Sequence, residues 1–208
     1  MPIGTLFSDP VAFILFAIVL IFSLSWHEAA HAFIAKRLGD DTAEHFGRLT
    51  LNPLAHLDPI GTILIFVAGV GWGKPVPVNP NNFDNPLLDN FKVALAGPVS
   101  NLILAAIFAA FFRIFHPDPN SVAGEFTQLA VQFNLIIMLF NLIPIPPLDG
   151  SKVVALFMSE SAFEIYARYG LFILLGLILL DYGNVPILSS VIFGPVSALT
   201  KLLLGFAP

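Results

Sequence analysis

A series of apolar stretches limits this chain's fold more than any other feature. They run about 11–35, 91–115, 126–146, 165–180 and 185–206. A helix rises about 1.5 Å per residue, so about 20 apolar residues match the ~30 Å hydrocarbon core of a bilayer. Inside that core no water satisfies a free backbone group, and a helix bonds all of its own. Of the 208 residues, 57% are hydrophobic and only 11% charged, whereas soluble domains carry about 25% charged residues. The reading is an all-α polytopic membrane protein with about five to six transmembrane helices.

One apolar stretch is shorter. Residues 60–73, "IGTILIFVAGVGWG", are rich in β-branched side chains and too short to span comfortably. They are expected to form a re-entrant element. A strand reading, as in a hairpin, is favoured there over a short buried helix, and "TILIFV" (62–67) and "VPVNP" (76–80) are candidates for an open β-edge that captures an extended substrate. Basic residues orient the chain. With the N-terminus outside and 60–73 dipping in and returning, eight of the nine Lys/Arg fall on the inner side and only Arg113 outside. The alternative, a sixth crossing at 60–73, weakens that bias. The chain has no cysteine, which excludes disulfides and thiolate metal sites. A net charge of -5 without a Lys/Arg cluster speaks against nucleic acid as a partner. "MPIGTLFSDP" has no basic region ahead of the apolar run, so no cleavable signal peptide is expected.

Within the first apolar stretch lies "HEAAH", residues 27–31. His27 and His31 are one helical turn apart and project from one face, so two ring nitrogens can meet a single Zn²⁺. Glu28 follows the first ligand, placed to act as general base on a water beside the ion. Ionisable groups at membrane depth are costly and point to function. A catalytic zinc site needs a third protein ligand. The inner-side candidates are His45, His56, Asp40, Asp41, Glu44, Asp58, Asp84, Asp89 and Asp149. Asp149 stands out by depth. At about 1.5 Å per residue, His31 lies about 30 Å into its span and Asp149 about 35 Å into its own, both running inward. The prolines at 144, 146 and 147 break the helix just before it. Taken alone, Asp149-Gly150 also reads as an ordinary turn.

HEAAH in a transmembrane segment, "AGPVSN" (96–101) and "NLIPIPPLDG" (141–150) together resemble the site-2 proteases, intramembrane zinc metalloproteases. "HLDPIGT" (56–62) and "GWGKPVPVNP" (71–80) resemble the minimal prokaryotic branch, which has no PDZ domain. The resemblance covers roughly residues 20–155. It implies His27, His31 and Asp149 as ligands of one Zn²⁺ per chain, Glu28 as general base, and a β-like element beside the site. A single domain is expected over 1–208, with a catalytic core about 11–155 and C-terminal transmembrane segments about 163–206. The expected activity is hydrolysis of a substrate's transmembrane segment at the cytoplasmic leaflet of the cell (plasma/inner) membrane, in regulated intramembrane proteolysis. The expected partners are that segment and the lipid bilayer.

A hydrolase working at that depth needs water, so a polar inlet is expected, with Asn52, Asn79, Asn101 and Asn141 as candidates to line it. Asn101 and Asn141 are also candidates for binding substrate or an oxyanion, against interhelical hydrogen bonding. Gly97 and Pro98 are expected to allow close helix packing and a helix start. For His56, a structural hydrogen bond is weighed against a role behind the site. The competing reading is a metal transporter, disfavoured because a transport path needs ligands through the whole membrane thickness.

Overall fold

Five helix starts share one dipeptide. Asp9-Pro10, Asn52-Pro53, Asp58-Pro59, Asn79-Pro80 and Asn85-Pro86 each place an Asx side chain before a proline at the first helical position. The Asx oxygen accepts a free backbone N–H of the first turn, from Ala12, Leu54, Gly61, Asn81 and Leu88 respectively. Proline costs nothing there, because its missing N–H would lack a partner anyway.

The computed structural model describes residues 8–68 and 71–205. Among these the helices are α1 (Pro10–Arg37), α2 (Thr42–His45), α3 (Pro53–His56), α4 (Pro59–Ala68), α5 (Pro86–Phe115), α6 (Val122–Asn141), α7 (Ser151–Ala155), α8 (Glu160–Tyr182) and α9 (Ile187–Leu204), with a 3-10 turn at Pro80–Asn82. Five of them, α1, α5, α6, α8 and α9, are long and apolar enough to cross a membrane. The protein is a multi-pass, all-α membrane protein.

Residues 60–73 correct one expectation. The stretch 62–67 is helical, within α4, and not a strand. Among the described residues the only β-type pairing outside a named strand is the isolated bridge between Leu57 and Gly73, reinforced by Lys74 N–H donating to His56 O. That pairing also rules out a sixth crossing, since it brings the two ends of the excursion together. Ten residues of helix rise only about 15 Å, half a hydrocarbon core. The return is tight. A Cβ on Gly61 would lie 2.1 Å from Trp72 O, and one on Gly71 2.1 Å from Gly61 O. Periodicity does not separate a short apolar strand from a short apolar helix, and here the Asp58 cap decides for helix.

Helices α1, α5 and α6 pack mutually. α1 buries a stripe at helical spacing, Phe16, Leu20, Ser23, His27, His31 and Ala35. Small residues Ala105 and Ala109 on α5 and Ala130 on α6 are almost fully buried in this assembly, as helices approaching closely in lipid require. α9 packs on α5 and α6, and α8 lies outside it against α9. Pro98 does not start a helix. α5 begins twelve residues earlier, at Pro86, and Pro98 sits buried inside it.

Candidate metal centre

His27 and His31 face the buried side of α1, and both rings are nearly sealed from solvent, at 3% and 7% exposure. Each has its Nδ1 against an acceptor that carries no hydrogen of its own to give. His27 Nδ1 lies 2.6 Å from Asn101 Oδ1 and His31 Nδ1 2.7 Å from Val93 O. A carbonyl oxygen only accepts, so each Nδ1 is the N–H donor and each Nε2 is left with its lone pair. Pro98 removes the N–H that would bond the carbonyl of Ala94, the residue after Val93.

Asp149 reaches the same point from more than a hundred residues away. After α6 the chain turns through 142–150 and closes on itself, Gly150 N–H donating to Asn141 O at 2.6 Å. Gly150 is needed for closeness, since a Cβ there would lie 2.2 Å from Leu142 O. The prolines in this loop have no N–H to satisfy. The loop presents Asp149 Oδ2 3.2 Å from His27 Nε2 and 3.4 Å from His31 Nε2. The two Nε2 atoms are 3.0 Å apart.

This triangle tests the fit to a cation. Both Nε2 atoms carry lone pairs, and Asp149 Oδ2 is buried without a hydrogen-bond partner. Without a cation or an added proton among them, three electron-rich atoms at 3.0–3.4 Å repel one another. Tetrahedral zinc with bonds of about 2.0–2.2 Å holds its ligand atoms about 3.3–3.5 Å apart. The three donors suit that ion and leave its fourth position open. Gly97 supplies the room. A Cβ at this position of α5 would lie 2.4 Å from His31 Nε2 and 2.5 Å from His27 Nε2.

Glu28, half-buried, turns from the histidines toward the extended segment after Gly73, where Val76 N–H donates to its Oε2 at 3.1 Å. Arg48 pins that segment. Its guanidinium, only 4% exposed, donates to Lys74 O and, at 3.1 Å, to Pro75 O. His56, fully buried, sits behind it, with Nε2–H donating to Thr50 O at 2.7 Å and Nδ1 facing Arg48 at 3.4 Å. Burial lowers the His56 pKa, Thr50 O opposes this, and the Arg48 charge lowers it further, so the ring is neutral. His56 thus braces Arg48. Sequence reasoning passed over Arg48; one basic residue in a loop gives no motif.

The four asparagines divide. Asn52 and Asn79 cap helical turns on the loops. Asn101 is fully buried; its oxygen takes His27 Nδ1–H and its amide nitrogen donates to Asn134 and Ser23 O. Both of its amide hydrogens are engaged between helices. Asn141, half-buried, donates one amide hydrogen to Ile137 O at 3.0 Å. The crevice reaching Asp149 is lined by Phe91, Ala94, Leu95, Leu142, Gly150 and Val153, apolar residues rather than the expected asparagines. A larger apolar groove, along Trp26, Ala29, Ala30 and Phe33, lies on roughly the opposite face of α1.

Residues 114–177 match the family described as Peptidase family M50. A protein of Methanocaldococcus jannaschii named "Putative zinc metalloprotease" is 30% identical over 159 residues, 73% of this chain and 77% of that one. The chain belongs to peptidase family M50. Similar M50 proteins include "Putative zinc metalloprotease YwhC" of Bacillus subtilis, 49% identical over 144 residues and 66% of each chain. "Putative zinc metalloprotease Rip2" of Mycolicibacterium smegmatis is 32% identical over 143 residues, 66% of this chain and 55% of that one. The M50 chain thus spans between about half and two thirds of these last two relatives. No solved structure matches it. Zinc is the metal in the relatives' names, and it is the ion that the His–His–Asp triangle suits.

Proposed function

We propose that this M50 protein is a zinc endopeptidase that hydrolyses peptide bonds in or near the transmembrane segments of other membrane proteins. The observation that carries the reading is the triangle of three hydrogen-free donors beside a carboxylate. His27, His31 and Asp149 hold the ion. When bound, zinc acidifies water and polarises a carbonyl. Glu28 accepts the proton of the attacking water and returns it to the leaving amine. Val76 N–H donates to its Oε2 and steadies the carboxylate. Asn101 keeps the His27 ring in place. Asn141, with one amide hydrogen unspent, is the residue nearest the loop for orienting substrate backbone.

A helical substrate hides its carbonyls, so it must unwind. The extended segment from Val76 to Asn79 runs beside Glu28 and offers backbone groups to a strand-like substrate. Arg113 bonds Leu202 O, so Lys201 shares its end of the bundle rather than the inner side expected of it; Lys36, Arg37, Arg48, Lys74, Lys92 and Lys152 still favour a cytoplasmic-side site in the cell membrane. Residues 1–208 act as one domain, and release of a membrane-tethered regulator is the biological role this implies.

Purified protein is expected to hold one zinc per chain and to cut a helical membrane peptide in liposomes. Glu28→Gln keeps the zinc and loses cleavage by about 10²–10⁴-fold. Cleavage unchanged in Glu28→Gln overturns the base assignment. Zinc flux across the liposome without proteolysis favours a transporter.

A further inference from the structure

We infer that Asn134 on α6 is a positioning residue of the metal centre: by holding the Asn101 amide in one orientation, it determines which nitrogen of His27 carries the hydrogen and which offers its lone pair toward Asp149. The inference rests on the reading of His27 as a zinc ligand.

Asn134 belongs to none of the quoted motifs and is fully buried, as are Asn101 and, at 1% exposure, Ser23. Its Nδ2 donates to Ala130 O at 2.8 Å and to Ser23 Oγ at 2.9 Å. Its Oδ1 accepts from Asn101 Nδ2 at 2.8 Å. Asn101 Oδ1 in turn accepts from His27 Nδ1 at 2.6 Å.

Every hydrogen in this chain points the same way, and Ala130 O sets the direction. A main-chain carbonyl has no hydrogen, so the group facing it must be the NH₂ of Asn134. Turning Asn134 over would set oxygen against oxygen at Ala130 and NH₂ against NH₂ at Asn101. With Asn134 fixed, its oxygen selects the NH₂ of Asn101, and Asn101's oxygen is left for His27. The hydrogen of His27 is then on Nδ1, and the Nε2 lone pair faces Asp149 and His31. Ser23 O supports the same Asn101 orientation, but at 3.3 Å, near the limit of a hydrogen bond. The 2.8 Å contact with Asn134 is the stronger hold. All three side chains are buried and bonded to one another, so an error at one link passes to the next.

The test measures zinc affinity by chelator competition, and the ¹⁵N signals of the His27 ring in metal-free protein. The parent is expected to show His27 with its hydrogen on Nδ1 alone. Asn134→Leu, of similar volume, is expected to mix the two ring forms and weaken zinc binding by about 10–100-fold, the usual loss when a ligand's supporting bonds go. Asn134→Asp keeps an oxygen for Asn101 and is expected to bind zinc more tightly than Asn134→Leu. Thr127→Val is the structural control. Thr127 is buried on the same helix and bonded to Ala123 O, outside the chain to His27. It is expected to lose stability and leave both readouts as in the parent. Asn134→Leu with parental affinity and a single ring form overturns the inference, as does an equal loss in Thr127→Val. Should Asn134→Leu fail to fold, Asn134→Ser, too short to reach Asn101, is read by the same measurements against the same expectations. A parent that binds no zinc overturns the reading of the centre itself; a parent that binds it while Asn134→Leu matches it overturns this inference alone.

Discussion

The trio α1, α5 and α6 and the pair α8 and α9 both bury apolar helix faces, but the trio adds a set of polar side chains that the pair almost lacks. The buried face of the trio carries Ser23, His27, His31, Asn101, Thr127 and Asn134. The pair buries Gly170, Leu174, Leu188, Ile192, Val196 and Leu204, with Thr200 as its polar exception. The trio is also the more enclosed. In α5 and α6, 44% of the most apolar window is buried, against 11% in α8. In lipid an exposed leucine costs little, because the tails are as apolar as the protein interior. Polar groups are what must be hidden, and once hidden they must be bonded. The trio therefore hides its polar groups inside an otherwise apolar interior.

The sharpest way to break the contrast is Gly97→Ala. A methyl group there meets both imidazoles, and zinc affinity is expected to fall by at least about 10–100-fold in chelator competition, whereas Gly176→Ala on α8, which meets nothing within 4 Å, leaves affinity unchanged. Next comes Leu135→Ala, a fully buried site in the cluster joining α5, α6 and α9, expected to cost about 2–5 kcal/mol in denaturant titration. Arg48→Met removes a buried charge bonded to two carbonyls, at about 1.5–3 kcal/mol for such a bond. It is expected to release Val76 from Glu28, lowering kcat while zinc content stays at the parent's value.

A smaller, pH-dependent effect belongs to Asp40, in the loop after α1. Burial raises its pKa, but hydrogen bonds from the Thr42 hydroxyl, Asn79 N–H, the Asn82 amide and Thr42 N–H outweigh it and hold the carboxyl below its usual 3.8. A carboxyl depressed by folding stabilises the fold above its unfolded value and loses that contribution as pH falls through the folded one. Asp40→Asn is thus expected to be less stable than the parent at neutral pH, the gap closing below about pH 4. The smallest change is expected from Leu171→Ala on the outer face of α8, 51% exposed, within about 0.5 kcal/mol of the parent in detergent.

What was legible in the sequence was whatever depends on local geometry. The spans follow from apolar length, and the expected boundaries differ from the observed ones by a few residues, because Asx-Pro caps start α1 and α5 ahead of the apolar runs. The pairing of His27 with His31 needs only the rise of one helical turn. Residues 60–73 defeated pattern reading, since ten apolar residues carry no period that separates strand from helix. Pro98 misled in another way: it sits at a helix start by preference, yet here it lies buried inside α5.

The amino-acid order by itself narrowed the long apolar helices to five or six, located them to within a few residues, and put two imidazoles and a carboxylate on one turn of α1. Only the tertiary structure decided that Asp149 arrives between the imidazoles, that Gly97 clears space for them, and that Asn101 bonds His27. The reason is separation along the chain. A contact between residues four apart is set by the helix itself, whereas contacts across 74 residues, as between His27 and Asn101, exist only after whole helices have packed.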